Sequence, residues 1–175
     1  MKIKESKNQV KIITPNGLKV TLSNYGASIR DIVFCGEHMV VSPFNPFVFK
    51  RDKSCYYGKT IGRIAGRVKD SCFSFKGKTY KVQSNDKKNS LHGGAYGLSS
   101  MIFSRKIVPE KDLIKVIFET VSFDGDMGYP GELNQQVIYE ISKDNVIEIT
   151  YLSNSDADTP LSITNHTQWN LGGGA

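Results

Sequence analysis

Gln136-Val137-Ile138-Tyr139-Glu140-Ile141-Ser142-Lys143-Asp144-Asn145-Val146-Ile147-Glu148-Ile149-Thr150-Tyr151-Leu152 is the stretch that decides the fold class. Its flanks are rich in β-branched and aromatic residues, which fit a pleated, half-buried surface. Between them, Ser142-Lys143-Asp144-Asn145 has the composition of a turn. The stretch therefore predicts two strands and their connection. Working outward, Leu18-Lys19-Val20-Thr21-Leu22 alternates apolar and polar residues, the period of a strand with one face buried. Phe73-Ser74-Phe75 and Thr79-Tyr80-Lys81-Val82 flank Lys76-Gly77-Lys78 as a hairpin around a short glycine loop. Leu113 to Phe123 carries Ile, Val and Phe without helical spacing. No i, i+3, i+4, i+7 apolar pattern persists along the chain, so short strands and turns predict an all-β sandwich or barrel, predominantly antiparallel. The segment from Cys35 to Tyr57, with Pro43 and Pro46, reads as a long loop. No repeat or low-complexity linker divides the chain, which predicts a single domain over residues 1–175.

A chain of 175 residues holds either one domain with a real core or one large piece of a bigger domain. Hydrophobic residues at 39% and charged residues at 23% exclude a disordered or fibrous chain. No apolar run approaches the roughly 20 residues that span a bilayer. Met1-Lys2-Ile3-Lys4-Glu5 opens without the apolar segment of a secretory leader. Cys35, Cys55 and Cys72 are odd in number and lack CxxC spacing, as free thiols of a reducing cytoplasm would be, rather than a disulfide framework or zinc site. The expectation is a cytoplasmic protein with no membrane partner. A net charge of +6 raises nucleic acid as a partner, but Lys and Arg recur diffusely from Lys2 to Lys143, mostly between apolar residues. Such spacing predicts solvated strand faces and no nucleic acid, whose binders cluster their charge.

Two of the three histidines sit in polar-glycine clusters, Leu91-His92-Gly93-Gly94 and Thr164-Asn165-His166. Histidine titrates near neutral pH without perturbation, so these are the candidate acid–base groups. The glycines after His92 permit close backbone approach and unusual φ angles, which would let the imidazole face a cleft. Around His166, Asn165, Gln168, Trp169 and Asn170 supply amides for hydroxyl groups and an indole for the C–H face of a sugar ring. In Gly62-Arg63-Ile64-Ala65-Gly66-Arg67-Val68 an extended chain would place Arg63 and Arg67 on one face, each a fork of donors for ring oxygens. This run has neither GxGxxG nor GK[ST] spacing, so nucleotide phosphates are not expected. Ser122 to Gly131 lacks the ligand positions and terminal glutamate of a calcium loop and reads as a structured turn. No histidine has a second His or Cys at ligand spacing, so no metal is expected.

Taken in order, Asn24-Tyr25-Gly26-Ala27, the run from Tyr57 to Val68, Asn89-Ser90-Leu91-His92-Gly93-Gly94, Ser122 to Gly131, and Thr164 to Leu171 resemble the aldose 1-epimerases, the galactose mutarotases. The resemblance implies a galactose-mutarotase-like β-sandwich, or supersandwich, of which residues 1–175 are the N-terminal part, cut short at residues 172–175. It implies an isomerase that interconverts the α and β anomers of aldohexoses such as glucose and galactose without a cofactor. It further implies that His166 is the general acid at the ring oxygen and that Arg67 and His92 hold substrate oxygens. The family's base, a glutamate, and a hydroxyl-binding aspartate lie in its second half, which this chain does not contain. Two positions depart from the family: Gly66 replaces an asparagine, and Gln168-Trp169 replaces an aromatic pair, making Gln168 a further candidate sugar contact. The alternative expectation is a non-catalytic carbohydrate-binding module. A complementing C-terminal half or an oligomer is the expected protein partner, and the isolated chain is expected to show little turnover. Should it turn over briskly, Asp124 and Asp126 are the first substitute bases.

Overall fold

The computed structural model describes residues 1–172; Gly173, Gly174 and Ala175 of the closing glycine run lie outside the described residues. Two antiparallel meanders carry the fold. The first joins β1 (Lys2–Ser6), β2 (Gln9–Ile13), β3 (Lys19–Ser23), β4 (Ser28–Phe34) and β5 (Glu37–His38) in sequential order. After helix α1 (Pro46–Arg51) come five short strands: β6 (Thr60–Ile61), β7 (Arg67–Val68), β8 (Cys72–Phe75), β9 (Lys78–Lys81) and β10 (Ser90–Leu91). The second meander follows with β11 (Ser104–Pro109), β12 (Leu113–Ser122), β13 (Leu133–Ser142) and β14 (Ile147–Ser155), again in sequential order. A final two-residue strand, β15 (Thr164–Asn165), pairs back to β6.

Alternation explains why the two meanders stack. On β12, Ile114, Val116 and Phe118 are buried, and on β13, Val137, Tyr139 and Ile141. They form one cluster with Val10, Ile12, Val20, Leu22, Ile29 and Ile32 of the first sheet. Full burial of each such side chain stabilises by roughly 1.5–3 kcal/mol relative to exposure, so shared burial holds the sandwich closed. The stretch quoted at the outset forms β13, its turn and β14, with Ile141 opposite Ile147 and Asn145 at φ +66°. The predicted hairpin is β8 and β9, closed by Lys76 and Gly77, both at positive φ. Two left-handed residues in a two-residue loop match the twist of the flanking strands.

The segment 35–57 differs from the long loop expected. It contains β5 and α1, whose N-cap Asn45 accepts hydrogen bonds through Oδ1 from the Phe47 and Val48 amides at 2.9 and 3.5 Å. Pro46 follows at the first helical position, where its missing N–H costs nothing. Residues 62–68 also differ from one extended run. The chain breaks between β6 and β7, and Gly66 takes φ +85°. Among the described residues no helix is long and apolar enough to cross a membrane.

Candidate active site

The residues between the meanders are positioned less by burial of apolar faces than by backbone contacts. Asn24-Tyr25-Gly26-Ala27 is a hub for them. The Gly26 carbonyl accepts from the Thr60 amide at 2.8 Å, and the Ala27 carbonyl accepts from the Tyr139 hydroxyl at 2.7 Å. Asn165 donates through Nδ2 to the Gly58 carbonyl at 2.9 Å and to the Tyr139 hydroxyl at 3.2 Å. Tyr139 thus ties the core of the second sheet to the start of β4 and to β15. Burial pushes its phenol pKa far up, so it stays a neutral donor and acceptor.

His166 sits one residue beyond β15. It continues that ladder by donating its amide to the Lys59 carbonyl at 2.9 Å and accepting from the Gly58 amide at 3.1 Å. His92 sits one residue beyond β10, which pairs with β7 so that Leu91 faces Arg67. Its amide donates to the Gly66 carbonyl at 2.9 Å. His92, Gly93 and Gly94 take φ +55°, +83° and +92° in succession. Gly93 is required as glycine twice over, because a Cβ there would lie 1.8 Å from the Gly62 carbonyl oxygen. That close approach braces the His92 loop against the end of β6, the strand that pairs with β15 just before His166.

As a result the two imidazoles lie edge to face, with ring centroids 5.2 Å apart. The Tyr56 ring closes the group, 4.8 Å from His92 and 5.7 Å from His166, and is itself only 5% exposed. The Gly66 amide donates to His92 Nδ1 at 3.1 Å, so the neutral ring carries its proton on Nε2. Burial, His166 and Arg67 hold the His92 pKa below the ordinary histidine value, which favours that neutral, Nε2–H-donating form.

The other expected residues fall into distinct roles. Arg67 is exposed, and its Nε donates to Asp86 Oδ2 at 2.6 Å. Gln168 donates Nε2 to the Cys55 carbonyl at 3.0 Å. Trp169 is exposed, so His166 is not a core histidine beside a buried indole. Arg63, by contrast, does not share a face with Arg67. It is 2% exposed and donates to the carbonyls of Ser122, Phe123 and Pro130 at 2.9, 3.1 and 2.7 Å, fixing that loop. Asp124 and Asp126 are spent on the same loop, accepting from the Gly131 and Phe123 amides at 2.6 and 2.8 Å. No group of three potential metal ligands occurs among the described residues. A cavity of about 720 Å³ lies elsewhere, on the first sheet beside Arg30, Asp31, His38 and Phe44.

Tyr56, beside both histidines, and Asp86, paired with Arg67, are members of the candidate site that the sequence alone does not single out. Tyr56 stands one residue before the run from Tyr57 to Val68, inside the segment 35–57 whose sequence reads as a loop. Asp86 stands in the Asn85–Asn89 turn, whose Asn85 brackets Leu91 through both amide atoms, at 2.7 and 3.0 Å.

A β-sandwich with this arrangement is the galactose mutarotase-like fold. The galactose 1-epimerase of Lactobacillus acidophilus matches 98% of the chain with a TM-score of 0.88 at 27% identity, the match covering 52% of that structure. An aldose epimerase homologue from C. elegans matches 95% with a TM-score of 0.84 at 30% identity, covering 51% of that structure. The sequence model of the family described as Aldose 1-epimerase matches residues 8–174, and the chain belongs to that family. The aldose 1-epimerase of Escherichia coli is 37% identical over 162 residues, which are 90% of this chain and 46% of that protein. The galactose mutarotase of Bos taurus is 34% identical over 134 residues, 77% of this chain and 38% of that protein. The chain thus spans less than half the length of these curated relatives.

Proposed function

We propose that this chain carries the ring-oxygen side of an aldose 1-epimerase site acting on free aldohexoses such as glucose and galactose in the cytoplasm, with no cofactor. The observation that carries the reading is the edge-to-face pair of His92 and His166, one ring of which has its tautomer set by the Gly66 amide. Opening a cyclic hemiacetal needs a base to take the C1 hydroxyl proton and an acid to protonate the ring oxygen as the C1–O bond breaks. Rotation about C1–C2 and reclosure with both proton transfers reversed yield the other anomer. His166, as imidazolium, gives the proton to the ring oxygen. His92 through Nε2–H and Arg67 through its terminal nitrogens hold substrate oxygens, and Gln168 is a further contact. The base is a glutamate in the second half of the family's sequence, supplied by a longer chain or a complementing partner.

Polarimetry on freshly dissolved α-glucose or α-galactose tests this. Residues 1–175 alone should mutarotate the sugar barely above the spontaneous rate, and a protein extended by the family's second half should be active. In the extended protein His166→Ala should lower kcat by about 10²–10⁴-fold, and Arg67→Ala should mainly raise KM. Brisk turnover by residues 1–175 would overturn the placement of the base. Sugar binding without turnover in the extended protein would instead establish a binding module.

A further inference from the structure

Arg67 poses a physical problem for any site that uses it. Its side chain is 60% exposed, and a free arginine at that exposure samples many rotamers. Ordering such a side chain on binding costs up to about 2 kcal/mol in lost rotamer freedom. In this chain the ordering is done in advance. Asp86 accepts the Nε–H at 2.6 Å, which uses one of five guanidinium donors and leaves both terminal nitrogens free.

Asp86 is itself fixed by its turn. Its amide donates to the Asn89 carbonyl at 3.1 Å, and the Asn89 amide returns the bond to the Asp86 carbonyl at 2.9 Å. Asn85 holds the same turn to Leu91, the residue that faces Arg67 across β10 and β7. Carboxylate and guanidinium are therefore mounted on one brace, which also carries His92. An ordinary exposed ion pair contributes only about 0–1 kcal/mol to stability, so folding alone gives little reason for this one.

We propose that Asp86 is a positioning residue of the sugar site: it presents the two terminal nitrogens of Arg67 to the substrate and cancels its charge, matching the site to neutral aldoses rather than anionic ones. This rests on the reading of Arg67 as a substrate contact. Asp86 touches no substrate and acts through Arg67.

The test uses residues 1–175 and galactose, with affinity read from NMR shifts and with the Arg67 Nε–Hε signal followed directly. Asp86→Asn should weaken galactose binding about tenfold with the melting temperature nearly unchanged, and should move or broaden the Arg67 signal. Asp86→Glu should restore part of the affinity. In an Arg67→Ala background, Asp86→Asn should have no further effect, which a merely structural role would not predict. Asp86→Asn should also bind galactose 6-phosphate better relative to galactose than the parent does. Unchanged galactose affinity in Asp86→Asn, or an equal loss with and without Arg67, would overturn the proposal while leaving the sugar site intact. A parent chain that binds no galactose would overturn the sugar reading itself, and the proposal with it.

Discussion

The two meanders and the segment between them are built on different physics. In β2 to β4 and β12 to β14, apolar side chains enter or pack against a shared cluster, and the contact is collective. Between residues 56 and 103 the strands are two to four residues long, and single atoms decide the geometry. There, the Gly62 carbonyl seats Gly93, and the Gly66 amide selects a histidine tautomer. A collective core yields by degrees when one member is trimmed. A braced loop loses its arrangement when one atom is in the way.

Three changes would break or sharpen this contrast. The largest loss of stability is expected from Phe118→Ala, which empties a fully buried site in the shared core and should cost about 3–5 kcal/mol in denaturant unfolding. The histidine ring signals should stay in place; if they move, core and site are not separable. Next comes Gly93→Ala. Left-handed strain and overpacking against the Gly62 carbonyl should together cost about 2–4 kcal/mol, and the His92 and His166 signals should be lost from their native positions. Gly17→Ala is the control, since Gly17 shares the positive φ but has open space around it, and should cost only about 1–2 kcal/mol. Equal effects at the two glycines would mean that the Gly62 contact is unimportant.

The smallest expected effect is on pH dependence. Burial, His166 and Arg67 depress the His92 pKa in the folded chain. As pH falls below the unfolded value of about 6.5, the unfolded state takes up this proton first. The stabilisation is thus complete above about pH 6.5 and is lost as pH drops toward the lowered folded value. Between about pH 7 and 5 the parent's melting temperature should fall more steeply than that of His92→Gln. Parallel slopes would show that His92 is less enclosed than its contacts indicate.

The same contrast explains what was legible in the sequence. Alternation and β-branched content write a strand directly into residue order, so β3 and β12 are legible to within a residue, while β13 begins and β14 ends three residues beyond their legible stretches. The Lys76-Gly77 turn was legible because glycine advertises a positive φ. Asn45-Pro46 carried a cap-and-helix signal, but α1 is too short to show a period. Arg63 and Arg67 look equivalent four residues apart, and nothing local says that one will be buried against Ser122 and Pro130. Tyr56 and Asp86 matter because of what folding brings beside them, and partners far away in the chain leave no mark at either position. The histidines were found because their glycines and amides are unusual in kind. Their mutual distance was not readable.

The pairing of two sheets made far apart in the sequence also has a cost in time. β5 ends at His38, whereas β13, which supplies Tyr139 to the first sheet, ends at Ser142, roughly a hundred residues later. At ordinary translation rates of about 5–20 residues per second, the apolar face of the first meander waits of order ten seconds for its cover. During that interval the apolar residues Val10, Ile12, Val20, Leu22, Ile29 and Ile32 lack their partners from β12 and β13. The hydroxyl of Tyr139 then joins Ala27 to Asn165, so the contacts that hold the ladder beside His166 form only after both sheets have been made.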